Sequence, residues 1–254
     1  MQALLLAAGL GSRLRPLTEK LPKCLVPIQG KPLLGIWLKF LADAGVDRIF
    51  INVHYQAELV KRFISESGYA DRVIVLDEDE LLGTAGTVIR YREQFSRESL
   101  LVVHADNLSV FSFQRFYQFH LCHQPDRSLS MMTFMTDDPQ SCGIVEVDND
   151  NKLLAFHEKV DNPPGNHANA AIYWLGYKMI ANLDASLTDF STEVIPKNIG
   201  NIWCWHNDDY HRDIGNIDSL SQAQHDFPGK AVGPVTDAWL AVWKAVRADF
   251  PMLS

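Results

Sequence analysis

The sequence predicts an α/β fold: a Rossmann-like, mixed, mostly parallel sheet flanked by helices. Three observations point there. Short apolar runs alternate with helix-spaced apolar patterns up to Val103, a glycine-rich turn follows the first run at once, and beyond Asp106 the runs crowd together between turns. Strand and helix alternating at this rhythm form βαβ units, whose parallel sheet carries helices on both faces.

The elements follow in order. Ala3–Ala7 reads as a buried strand ending in the glycine turn. The window 32–44 is a helix, with Leu33, Ile36, Trp37, Phe40 and Leu41 on one stripe and Gly45 as its stop. Arg48–Val53 is a strand, Ala57–Ile64 a helix, Arg72–Leu76 a strand, Thr84–Phe95 a helix and Leu100–Val103 a fourth strand. A helix is expected at Ser112–His120, followed by strands at Leu129–Phe134, Gly143–Val147, Leu153–Glu158, Ala170–Gly176 and Asn201–Cys204. Trp239–Val246 closes the chain as an amphipathic helix. With no repeat and no linker, the reading is one domain over residues 1–254, in three stretches: 1–110, 111–225 and a helical 226–254.

Composition narrows the function. A formal net charge of −8 argues against nucleic acid as partner, since phosphate backbones attract basic surfaces. Four scattered cysteines without a CxxC pair suit reduced thiols better than disulfides or zinc. No basic leader and no apolar run of about 18 residues is present, so a cytoplasmic protein without a membrane span is expected.

The chemistry concentrates after the first strand, in Ala8-Gly9-Leu10-Gly11-Ser12-Arg13-Leu14-Arg15-Pro16-Leu17-Thr18, continuing to Pro22-Lys23. Glycines let the backbone approach a ligand and aim N–H donors at phosphate. Two familiar phosphate loops fail on spacing. Leu14 stands where a dinucleotide fingerprint needs its third glycine, and Leu14-Arg15 replaces the Lys-Ser/Thr of a Walker A loop. Arg13 could fork a phosphate and Lys23 supply a compact charge. On spacing alone both read equally well as solvated cations.

The full pattern GxGSRLxPLTxxxPK strongly resembles the signature of the sugar nucleotidyltransferases, also called NDP-sugar pyrophosphorylases, and further matches follow in family order over residues 2 to 225. The resemblance implies nucleotide contacts from Ala8, Gly9, Gly11, Ser12 and the second loop Gly83-Thr84-Ala85-Gly86. It implies sugar contacts from Gly143, Glu158, Lys159 and Asn169, and Mg²⁺ ligands at Asp106 and Asp213. Residues 1–110 then form a nucleotide-binding half and 111–225 a sugar-binding half. Arg13 would hold the β- and γ-phosphates, and Lys23 the α-phosphate and sugar phosphate. The substrates implied are an NTP and a sugar-1-phosphate, the products an NDP-sugar and pyrophosphate. The Gly-Thr-Ala-Gly loop leans toward mannose-type guanylyltransferases, hence GTP; a homo-oligomer is left open.

Three departures mark the chain: Ala105 for the glycine before the metal aspartate, Ser12 for threonine, and Ala171 for the glycine of an Asn-Ala-Gly strand. No hexapeptide repeat follows, so the β-helix acyltransferase of longer relatives is not expected. Same-fold enzymes acting on phosphocholine or the molybdenum cofactor are alternatives that Glu158-Lys159 and Asn169 speak against. A catalytically silent regulatory homologue is another, opposed by Arg13, Lys23, Asp106 and Asp213 together. The run Asp77-Glu78-Asp79-Glu80 reads as solvated acid, Trp203, Trp205 and Tyr210 as core around a strand, and His104, His206 and His211 as lacking zinc spacing.

Overall fold

The computed structural model describes residues 1–253. Strand β1 (Gln2–Leu6) leads into the glycine loop, three 3₁₀ turns and a short hairpin of β2 (Pro27–Ile28) and β3 (Lys31–Pro32). There follow α1 (Leu33–Asp43), β4 (Arg48–Val53), α2 (Ala57–Glu66), β5 (Val73–Asp77), α3 (Thr84–Tyr91) and β6 (Leu100–His104). Next come β7 (Asn107–Val110), α4 (Phe113–Leu121), β8 (Leu129–Met135), β9 (Gly143–Val147), β10 (Leu153–Glu158) and β11 (His167–Leu175). After α5 (Tyr177–Ala181), a π-helical turn at Phe190–Val194 runs into α6 (Ile195–Lys197), then β12 (Ile202–His206), β13 (Tyr210–Asp213), α7 (Ile217–Asp226) and α8 (Asp237–Val246).

Among the described residues nine strands form one mixed sheet, ordered β10-β9-β11-β6-β1-β4-β5, with β8 joining at β11 and β12 beyond it. The strands β6, β1, β4 and β5 are mutually parallel, while β11 runs antiparallel to β6, β8 and β9. The α/β class stands as predicted. Strands in the parallel block bury both faces, so they read as continuous apolar runs. Along β1, Ala3 and Leu5 enter one core with α1, α2, α4, α7 and α8, and Leu4 enters the other with α3, α5 and the π turn.

Several boundaries shift. The predicted helix at Thr84–Phe95 ends at Tyr91 and gives way to a 3₁₀ turn at Arg92–Gln94. Strand β11 starts at His167, ahead of Ala170, and β12 continues past Cys204 to His206. The pair β7 and β13, helices α5 and α7 and the π turn carry no strong local pattern and were not foreseen. The aromatic reading needs correction: Trp205 and Tyr210 pack on the larger core, but Trp203 does not. It lies half-buried against His123, with the Lys152 ammonium over its ring.

Candidate active site

The carboxyl ends of β1, β4, β5 and β6 meet at one sheet edge, where open α/β sheets bind ligands. A cavity of about 260 Å³ opens there, lined by Ala8, Gly9, Asn52, Glu78, Gly83 and Thr84 among others. Gly9 faces it bare: a Cβ at that position would meet no protein atom within 4 Å. Gly11 does different work. Its φ is +61°, and a Cβ would press within 2.9 Å of Thr18 Cγ2 and 3.0 Å of Lys23 Cβ. The Thr18 hydroxyl closes the turn by donating to the Gly11 carbonyl at 2.8 Å. Gly11 and exposed Ser12 thus shape the loop, and do not line the cavity.

The second loop divides likewise. Gly83 and Thr84 line the cavity, but the Ala85 and Gly86 amides donate to the Thr188 carbonyl at 2.9 and 3.2 Å. Those two N–H groups are spent inside the protein, so of the loop expected to contact the nucleotide only Gly83 and Thr84 line the cavity.

Asn52 and Glu78 are site residues that the sequence did not reveal. Asn52 Oδ1 accepts from the Ala7 amide at 2.7 Å, and its Nδ2 donates to Glu78 Oε1 at 3.0 Å. Thr87 also donates to Glu78 Oε1, at 2.6 Å. Glu78 is therefore a buried, hydrogen-bonded carboxylate on the cavity wall, not solvated acid like its neighbours Asp77, Asp79 and Glu80. Three adjacent acids disguised it; only its alternation with buried Leu76 hinted at an inward side chain.

At the cavity's far end stands Lys23, 8% exposed. Its Nζ lies 2.6 Å from Asp106 Oδ2 and 3.9 Å from Asp213 Oδ1. Strand pairing explains how residues so far apart in sequence meet: β13 lies antiparallel to β7 with Asp213 opposite Asn107. The Ile214 amide then donates to the Asp106 carbonyl at 3.1 Å. Burial opposes the Asp106 charge, yet the Lys23 ammonium holds its carboxyl below the usual range. Asp213 is pushed up, by its setting in the cleft and by the Asp106 charge. Two carboxylates crowding one ammonium is a donor set suited to Mg²⁺, which takes one or two carboxylates and completes its shell with phosphate and water. Among the described residues no cluster of three or more His, Cys, Asp or Glu forms a closed cage.

A second cavity, of about 330 Å³, continues from this point and holds all four predicted sugar residues, with Arg13, Asp106 and Asp213. His104 and Asp106 line both cavities. Gly143 pairs with Glu158 across β9 and β10, and a Cβ on Gly143 would strike Phe156 Cζ at 2.4 Å and Glu158 Oε2 at 2.6 Å. Only glycine leaves the carboxylate its place. Lys159 lies 3.4 Å from Glu158. Asn169 donates to the Tyr173 hydroxyl at 2.8 Å and accepts from the Ala171 amide at 2.9 Å, across a bulge in β11. Arg13 reaches this side of the cleft, where a Cβ on Gly215 would fall 3.0 Å from its Nη2 and 2.8 Å from Asp213 Oδ2.

Asp189, Ser191 and Thr192 complete the second cavity and were not anticipated. Asp189 caps the π turn by accepting from the Thr192 amide at 2.9 Å, a spacing visible in the sequence as Asp-x-x-Thr. His104 and His211 are both pushed down by burial, His211 to about 3, and the His104 Nε2 has no hydrogen-bond partner among the described residues. Among the described residues neither belongs to a metal cluster.

The family model described as "Nucleotidyl transferase" matches residues 2–229. A probable mannose-1-phosphate guanylyltransferase 1 of Oryza sativa subsp. japonica is 32% identical over 203 residues, 78% of this chain and 56% of the relative. The chain therefore spans little more than half the length of that relative. Among solved structures, a putative glucose-1-phosphate thymidylyltransferase from Bacillus anthracis superposes with a TM-score of 0.80 at 20% identity, covering 94% of this chain and 98% of the other. HddC from Yersinia pseudotuberculosis, complexed with GMP-PN, gives 0.74 at 25% identity, covering 89% and 99%. Among the described residues no helix is long and apolar enough to cross a membrane.

Proposed function

The chain belongs to the nucleotidyl transferase family, and we propose that it joins the nucleotidyl group of an NTP to a sugar-1-phosphate, releasing pyrophosphate. One observation carries the reading: two adjoining cavities share Asp106 and His104, with Lys23 lining the first and Asp213 the second, only 3.9 Å apart. A base and ribose fit the first, a sugar phosphate the second, and the reacting phosphates meet between them. The sugar-phosphate oxygen attacks the α-phosphorus in line as pyrophosphate leaves. Two anions must approach, so the task of the site is alignment and charge neutralisation.

Lys23 neutralises the α-phosphate and the incoming phosphate. Arg13 steadies the pyrophosphate. Asp106 and Asp213 would hold Mg²⁺, which when bound would offset the charge of the substrate phosphates. Glu158 and Asn169 orient sugar hydroxyls, with Lys159 on the sugar phosphate.

Glu78 favours guanine as the base. Its Oε1 is taken by Asn52 and Thr87, while Oε2 makes no such bond, and the residue lines the cavity. A carboxylate is an acceptor-only group. Guanine offers two adjacent donors, N1–H and the N2 amine, whereas uracil and thymine offer one donor between carbonyls that the carboxylate repels. GTP is accordingly the donor, and the relative's name, mannose-1-phosphate guanylyltransferase, favours a mannose-type sugar-1-phosphate as acceptor. The test is pyrophosphate release across four NTPs and a panel of sugar-1-phosphates with Mg²⁺. GTP should lead, by a factor of about ten or more for paired hydrogen bonds, and Glu78→Gln should narrow that lead. A wild-type preference for UTP or dTTP overturns the base assignment; no release with any pair overturns the function.

A further inference from the structure

The loop at the nucleotide cavity and the wall of the sugar cavity are bonded to each other at one place. Thr84 lies on the nucleotide side; Asp189, Ser191 and Thr192 lie on the sugar side. The Thr84 hydroxyl accepts from the Phe190 amide at 2.9 Å and donates to Asp189 Oδ2 at 3.2 Å. Beside it, the Thr188 carbonyl receives both the Ala85 and Gly86 amides. Gly83, at φ +78°, leaves no room for a side chain: a Cβ would sit 2.4 Å from the Thr188 oxygen. Outside both cavities, Glu193 Oε2 gathers the Thr188 amide at 2.6 Å, the Thr188 hydroxyl at 3.0 Å and the Asp189 amide at 2.9 Å.

The segment so held is a π-helical turn, with the Val194 amide reaching back five residues to the Asp189 carbonyl. A π turn closes on the fifth residue where an α turn closes on the fourth; here it opens from extended Asp189 and runs into the short α6, and such turns recur at functional sites. Its alternative is a discrete change of register, not a gradual bend. That is the kind of two-state element through which two sites can influence one another.

We propose that Thr84 is a positioning residue that couples nucleotide occupancy to the sugar wall, by fixing Asp189–Thr192 in the register that receives the sugar-1-phosphate. The inference rests on the proposed function. A nucleotide pressing on Gly83 and Thr84 stabilises the bonds to Thr188, Asp189 and Phe190, and so orders the face that the sugar meets. By linkage the sugar phosphate tightens nucleotide binding by the same factor.

The test is calorimetric titration of mannose-1-phosphate into the full chain, with and without a non-hydrolysable GTP analogue and Mg²⁺. Wild type should bind mannose-1-phosphate about tenfold more tightly when the analogue is present, within the usual range for coupled sites. Thr84→Val removes the hydroxyl while keeping the branched shape; it should cut that factor below about two. Thr84→Ser should restore the coupling. Glu193→Ala, outside both cavities, should weaken it as Thr84→Val does. In turnover, Glu193→Ala, which lies outside both cavities, should raise the KM for sugar-1-phosphate with little change in kcat, a split that general loosening of the fold would not produce. If wild type shows the coupling and Thr84→Val and Glu193→Ala keep it, the inference is overturned and the proposed function is untouched. If wild type binds neither ligand, both fall.

Discussion

Lys23 is the residue on which most of the chemistry converges. Burial of its stem, the 2.6 Å bond to Asp106 and the nearby Asp213 set one cation between two acids. Loss of a charge-assisted contact of this kind typically costs about 10²–10³ in rate. Lys23→Met and Arg13→Ala should each lower kcat/KM by about that factor while circular dichroism shows the fold retained. Near-normal turnover in either variant would remove that residue from its role. These cations stood out in the sequence because the glycine loop, Arg13 and Lys23 lie within one short signature. Glu78 did not, because burial of one acid among four is decided by Asn52 and Thr87, which come from other elements.

Strand β11 carries a strain that the rest of the sheet lacks. Ala171 sits at φ +52° in the bulge opposite β8, held by Asn169 and by the Asn107 amide group, which donates to the Ala170 carbonyl at 3.0 Å. A Cβ in the left-handed region costs about 1–2 kcal/mol, partly offset in glycine by its greater freedom when unfolded. Ala171→Gly should therefore raise stability by up to about 1 kcal/mol, seen as a higher Tm in scanning calorimetry, whereas Ala171→Val should lower it. An unchanged Tm for both would mean that the bulge carries no such strain. The strands themselves were legible, since alternating or continuous apolar runs are local. The partnership of β7 with β13 was not: Asn107–Val110 and Tyr210–Asp213 are short, polar and far apart, and only tertiary packing pairs them. The π turn escaped for the same reason, although its Asp189 cap was in plain view.

Across the whole molecule, two cores on opposite faces of one sheet hold the cavity-bearing edge in place, and a polar group buried beside the larger core responds to acid. His120 is fully buried, hydrogen-bonded to Ser99 and Ser130 at 2.9 Å each and stacked on Trp174. Burial pushes it down to about 4. An unfolded histidine takes a proton below about 6.5 while the folded one does not until about 4, so stability is complete above the first value and falls between the two. Between pH 7.5 and 5 this group should remove about 2 kcal/mol of unfolding free energy, at ~1.4 kcal/mol per pH unit. Urea denaturation at the two pH values should show His120→Gln losing less than wild type by roughly that amount; an equal loss would place the acid sensitivity elsewhere. The same architecture makes the central claim open to direct observation. A crystal grown with Mn²⁺ and a non-hydrolysable GTP analogue should show anomalous density between Asp106 and Asp213, the guanine against Glu78 and the α-phosphate beside Lys23. Density away from those carboxylates, or a base lying in the cavity of Glu158 and Asn169, would contradict the account.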